Sequence, residues 1–259
     1  MKKFLAILFG LCLGFGLFNI FVELDAHKKM LHTLAGNQLE LAGTLHMDYP
    51  SRVQAVAAKC ARATFRVGIA GANGGYGSCV LLDKGQGIFL SAAHVIANDP
   101  NFLEYQNTRI PIVHSVYEPN SFDVGLIFVN PCNIVCLDCI SLPLAEYNVV
   151  SGTPCLLSGF PGMLEGLQTI TPSTVLAKTK TFNQPMYRVV GNFHEGMSGG
   201  PMVDLEGRIV GIICHSIGRE SPFTGFICFG YGGVVPSIDA RTLIDDLQGI
   251  TNGTRQAVQ

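Results

Sequence analysis

Three residues of this 259-residue chain stand in settings that suit one reaction. Ser198 lies in a glycine-rich turn, Gly196-Met197-Ser198-Gly199-Gly200-Pro201. Ser91-Ala92-Ala93-His94-Val95 is read as the end of a strand, finishing on His94, and Asp123-Val124-Gly125-Leu126-Ile127 as the start of another, opening on Asp123. A serine hydroxyl is a weak nucleophile at neutral pH. It attacks a carbonyl when a base within hydrogen-bond reach takes its proton, and an imidazole serves best when a carboxylate fixes its tautomer and stabilises the imidazolium. Serine, histidine and aspartate are therefore the set that acyl transfer through a covalent intermediate needs. His194 and His215 are the competing bases, and neither ends an apolar run in the Ala-Ala-His manner.

Such side chains need a stiff frame, and composition shows that the chain can build one. With 48% hydrophobic and 14% charged residues it can bury a large core and lacks the polarity of a disordered chain. A net charge of −2 creates no field for a polyanion, and no Lys/Arg run is interleaved with aromatics, so nucleic acid is not an expected partner. Gly71 to Gly77 is glycine-rich but no Lys-Ser/Thr follows, which excludes a phosphate loop. No cofactor and no metal is expected.

From Ala63 onward, short apolar runs recur between Gly, Pro and Asn. They are Thr64–Ile69, Gly77–Leu82, Gly87–Ser91, Thr108–Tyr117 and Asp123–Val129, then Thr153–Ser158, Thr171–Lys178, Met186–Val190, Pro201–Val203, Arg208–Cys214 and Phe226–Val235. Runs this short and β-branched predict an all-β barrel or sandwich. Ser237 is expected to cap a helix over Ile238–Leu247, with Ile238, Leu243, Ile244 and Leu247 on the face that packs.

The order His94, Asp123, Ser198, spaced by 29 and 75 residues, resembles that of trypsin-like, chymotrypsin-fold serine proteases, nearest the HtrA-type protease domain without its PDZ module. Smaller matches fall in register: Gly77-Ser78-Cys79-Val80-Leu81-Leu82, Gly159-Phe160-Pro161-Gly162, Val203-Asp204, and Gly207 to Ile212. The resemblance runs from about Ala63 to Leu247. It implies two six-stranded antiparallel β-barrels, about 51–145 and 146–236, with the C-terminal helix over 238–247. His94 and Asp123 would lie on the first barrel and Ser198 on the second. It implies a serine endopeptidase acting on a polypeptide substrate, with the amides of Gly196 and Ser198 as the oxyanion hole. A catalytically silent binding module on the same fold is the alternative, and the usual mark of such a module is loss of a triad member.

Two departures bear on control and specificity. Met197 stands where digestive relatives carry the aspartate that pairs with a newly freed N-terminal amine, so that activation route is not expected. Asn192 stands at the base of the primary pocket and is neutral, which gives no support to a preference for Arg or Lys; His215 lies near the pocket wall. Both are expected to touch substrate. Of nine cysteines, Cys132, Cys136 and Cys139 are close enough to suggest a metal site but irregularly spaced, and Cys214 and Cys228 could pair in an oxidising compartment.

The N-terminus differs in kind. Phe4 to Val22 contains no charge and is long enough to span a bilayer as a hydrophobic helix. Leu24-Asp25-Ala26 is a poor cleavage site, so residues 1–26 read as an uncleaved signal anchor, with a cleaved signal peptide as the alternative. Residues 27–50 then form a tether, 51–248 the protease-like domain and 249–259 a tail. This places the protein in a membrane with its domain on the exported side, or makes it secreted. Lys2-Lys3 and Lys28-Lys29 nearly cancel as orientation signals. Full-length protein is expected to fractionate with membranes and resist alkaline carbonate, whereas protein starting near Ala26 is expected to be soluble. A soluble mature form beginning just after Ala26 would overturn the anchor.

Overall fold

The computed structural model describes residues 49–69, 76–118, 122–164, 166–181, 184–217, 230–237, 241–242 and 244–246. The expected hydrophobic helix over Phe4–Val22 lies outside them. No helix among the described residues is long and apolar enough to cross a membrane. The described residues from Arg52 onward form one compact unit.

Two closed antiparallel barrels of six strands carry this unit. The first is made of β1 (Thr64–Ile69), β2 (Tyr76–Asp83), β3 (Ile88–Ser91), β4 (Pro100–Tyr105), β5 (Thr108–Tyr117) and β6 (Gly125–Val129). The second is made of β7 (Pro154–Gly159), β8 (Thr169–Thr181), β9 (Gln184–Gly191), β10 (Pro201–Val203), β11 (Ile209–Ile217) and β12 (Gly230–Pro236). Around the first, the strands run β1-β2-β3-β6-β5-β4, and around the second β10-β11-β12-β9-β8-β7. In each barrel the third strand pairs with the sixth and the first with the fourth, so the two share one topology.

Several strands are buried on both faces, which is why they read as unbroken apolar runs rather than as alternations. Every residue of β3, β6 and β10 is buried. β5, at the outside, mixes exposed and buried positions. Phe65 packs edge-on against Phe89 at 4.8 Å and stacks on Tyr105 at 4.6 Å within the first barrel. One core cluster runs from these residues across the seam to Leu156, Val203, Ile212 and Val235, so the barrels share apolar interior.

Two elements depart from the sequence reading. β4 begins with a proline and carries Asn101 and Glu104, so it lacks an apolar run; only Pro100, Leu103 and Tyr105 turn inward. Residues 49–63 are helical, α1, and Val53, Val56, Cys60 and Ala63 share one face against the core. At the other end, residues 241–242 and 244–246 are helical and Ile244 is buried, as expected; the rest of that helix lies outside the described residues. The Ser237 hydroxyl donates to the Ile209 carbonyl at 2.9 Å, tying this end to β11.

The turn between β10 and β11 is organised by one carboxylate. Asp204 accepts the amides of Glu206 and Arg208, the Arg208 guanidinium at 2.7 Å and the Tyr147 hydroxyl. Burial alone would raise this carboxyl, but these donors outweigh it and hold it below its ordinary value. Asp204→Ala is expected to remove about 2–3 kcal/mol and lower Tm by roughly 5–10 °C at neutral pH. Because the folded carboxyl titrates low, its contribution is whole above about pH 4 and is lost as pH falls through the folded value, so the gap should close on acidification. A gap that persists undiminished to about pH 2 would refute the assignment.

Candidate active site

The histidine is delivered by a single helical turn rather than by the strand the sequence suggested. β3 stops at Ser91, Ala92 is extended, and His94 sits in α2 (Ala93–Ile96) with Ala93, Val95 and Ile96 buried beneath it. Burying three of four residues leaves the imidazole facing out, with its side chain 47% exposed. The Asn98 amide donates to the His94 carbonyl at 2.6 Å and closes the turn.

Asp123 precedes β6 and reaches α2 with both oxygens. Oδ1 accepts the His94 backbone N–H at 2.9 Å and Oδ2 lies 2.7 Å from His94 Nδ1. The two bonds fix the ring relative to its own backbone and commit Nδ1 to the carboxylate, which leaves Nε2 for proton transfer. Burial pushes the Asp123 carboxyl up, but the hydrogen bonds and charge of His94 outweigh it, and the carboxyl stays below its ordinary range. It is a carboxylate at neutral pH.

Ser198 lies half-buried in the turn before β10. Its hydroxyl donates to the Cys214 carbonyl at 3.2 Å rather than to His94, so only the histidine–aspartate half of the expected contact is made. Unliganded sites commonly hold such bonds slack. Cys214 is a contributor the sequence reading missed: its thiol lies 3.5 Å from the Asp123 carbonyl and shares its one proton between that oxygen and the Ile212 carbonyl at 3.3 Å. Burial, helped by the Asp123 charge, pushes that thiol well above its ordinary range. No local pattern announces this contact, because it joins β11 to a loop 91 residues earlier.

The turn around the serine is pinned peptide by peptide. The Glu195 carbonyl accepts the Gly162 N–H at 2.8 Å and the Met197 carbonyl accepts the Gly200 N–H at 3.0 Å. A trans peptide points its N–H away from its carbonyl, so the Gly196 amide faces away from Gly162 and the Ser198 amide away from Gly200. Neither amide has an acceptor among the described residues. Gly196 has φ +90, and a β-carbon there would fall 2.4 Å from the Phe160 carbonyl. Met197 is fully buried in the second core, where no charge could be held without a partner.

Asn192 is exposed just past the end of β9. His215 lies on β11 opposite Gly233, beside the irregularity between Ile213 and His215; its side chain lies outside the described set. Neither can be joined to the His94–Asp123 pair by any contact on these residues. His194, the other competing base, has its Nδ1 buried without a partner among the described residues. The seven described cysteines are free thiols. Cys132 and Cys136 are exposed and Cys139 is buried; among the described residues no three His, Cys, Asp or Glu side chains cluster around a metal position. Cys228, the suggested partner of Cys214, lies outside the described residues.

The profile of the trypsin-like peptidase domain matches residues 77–212, just over half of the chain. No curated protein matches the sequence as a relative. Among solved structures, the active form of the Rv3671c protease from M. tuberculosis is similar with a TM-score of 0.58 at 18% identity, over 72% of this chain and 81% of that one. Its inactive form gives 0.55 at 18% identity, over 74% and 91%. The serine endoprotease from Yersinia pestis gives 0.59 at 21% identity, over 75% and 66%. These likenesses concern the fold.

The geometry of the serine turn makes its own prediction. Gly196→Ala should drive the turn off the Phe160 carbonyl and reorient the 196 amide, lowering kcat by about 10²–10³-fold if that amide meets developing charge. Steady-state kinetics of the folded variant checks this, and an unchanged kcat would remove Gly196 from the site.

Proposed function

The chain belongs to the family of trypsin-like peptidase domains and is a serine endopeptidase, and we propose that it cleaves polypeptides through an acyl-enzyme formed on Ser198. His94 acts as general base toward the Ser198 hydroxyl and then as general acid toward the leaving amine. Asp123 holds the imidazole in the required tautomer and stabilises the imidazolium. The Gly196 and Ser198 amides receive the oxyanion. The observation that carries this reading is the two-point hold of Asp123 on His94, 2.9 Å to the backbone and 2.7 Å to Nδ1, which serves no packing purpose on a side chain that stays exposed.

In this reading Ser198 parks its hydroxyl on the Cys214 carbonyl between turnovers. A χ1 change between staggered wells releases it toward His94 when substrate enters. Deacylation repeats the proton transfers with water in place of the hydroxyl. Asn192, exposed and neutral beside the turn, makes the primary pocket uncharged at its base and directs selection away from Lys and Arg. The buried Met197 makes activation independent of a freed N-terminal amine. Residues 1–26 tether this domain to a membrane, 27–50 space it, and 249–259 trail it.

Ser198→Ala is expected to abolish both covalent labelling by a serine-reactive phosphonate and peptide cleavage while leaving the melting curve intact. Peptide hydrolysis that survives the substitution would defeat the assignment of the nucleophile.

A further inference from the structure

The hydroxyl of Ser78 takes no part in proton transfer, yet it is bonded into the turn that carries Gly196. Ser78 is fully buried on β2, in the first barrel. Its Oγ donates to the Gly196 carbonyl at 2.7 Å and accepts the Phe160 N–H at 2.9 Å. Its own N–H donates to the Ser198 carbonyl at 2.8 Å. We propose that Ser78 is the positioning residue of the oxyanion hole, a hydroxyl on one barrel that sets the orientation of amides on the other; this rests on the roles given above to Gly196 and Ser198.

The peptide between Gly196 and Met197 lies between the two whose amides would meet the oxyanion. Its N–H is fixed by the His194 carbonyl at 3.1 Å and its carbonyl by Ser78 alone among the described residues. Glycine has little preference of its own for one peptide orientation over another, so at Gly196 that preference must come from outside. Ser78 supplies it twice. Directly, it holds the Gly196 carbonyl. Indirectly, it anchors the Phe160 N–H, two residues before the Gly162 N–H that orients the 195–196 peptide. A hydroxyl can donate to the first and accept from the second at once, which a methyl group cannot. Losing it strands a carbonyl and an N–H together, and rotation about Gly196 is the nearest way to re-partner the first.

The test compares Ser78→Ala with Thr64→Ala, which removes the other buried hydroxyl pairing across the seam, Thr64 Oγ1 with Ser158 Oγ at 2.9 Å, away from the turn. Both should lose thermal stability. Ser78→Ala should lower kcat by about tenfold to a hundredfold, with KM changed less than about twofold, because an oxyanion donor acts in the transition state and not on bound substrate. It should weaken inhibition by a peptide boronic acid, whose adduct with Ser198 is tetrahedral, by the same factor. Thr64→Ala should leave kcat and boronate affinity unchanged. Equal losses in both variants, or none in Ser78→Ala, would overturn the proposal. If the unsubstituted protein turned over no peptide, that would count against the acyl-enzyme reading, and amide hydrogen exchange over residues 192–200 would judge the clamp alone. Faster exchange confined to Ser78→Ala supports it, and identical exchange in all three proteins sinks it.

Discussion

The Ser198 turn meets the first barrel backbone to backbone, and the rest of the molecule is arranged to permit that approach. The Ser78 N–H donates to the Ser198 carbonyl at 2.8 Å. A β-carbon on Gly199 would lie 2.0 Å from the Ser78 carbonyl and 2.3 Å from Ser91 Oγ, and one on Gly200 would lie 2.0 Å from the Ser158 carbonyl. No side chain fits. The serine therefore sits at a depth fixed by hydrogen-bond length, while Asp123 fixes the histidine from the same barrel. Positioning of the three groups thus reduces to closure of one seam.

Apolar burial makes that closure stable, and polar pairing makes it specific. The shared core cluster drives the barrels together without choosing a register, since dispersion and water release have no direction. The choice falls to a few buried hydroxyls. Thr64 meets Ser158, Gln168 donates to Ser158 Oγ at 3.0 Å and to the Cys60 carbonyl at 3.1 Å, and Ser78 Oγ donates to the Gly196 carbonyl at 2.7 Å. A slip along the seam would leave these groups dry and unpaired.

Much of this was legible from residue order, and the gaps have physical causes. Short β-branched runs between turn residues mark strands whether or not both faces are buried, so β1, β5 and β10 begin and end where their sequence runs do. β4 escaped because a barrel strand needs only its inward residues apolar, and three in six make no run. Helix α1 escaped because its apolar face has only Val53, Val56, Cys60 and Ala63, two β-branched and two small residues that give a weak helical signal. In the site, Ser198, His94 and Asp123 stand out by type and local setting. The hydroxyl of Ser78 and the thiol of Cys214 act across 118 and 91 residues, and a contact of that range leaves no trace in neighbouring sequence.

Helix α1 is fastened to the second barrel as well as to the first. Arg52 pairs with Glu206 at 2.5 Å, Lys59 reaches the Glu206 carbonyl at 3.4 Å, and Glu206 belongs to the turn that leaves β10, the strand entered directly from the Ser198 loop. At its other end α1 runs straight into β1, the neighbour of β2. The consequence is mechanical. A pull on the chain ahead of Arg52 reaches both barrels, the first through the peptide link to β1 and the second through the contacts of Arg52 and Lys59 with Glu206. One short helix thus gives force applied at its start two points of entry into the fold, one in each barrel.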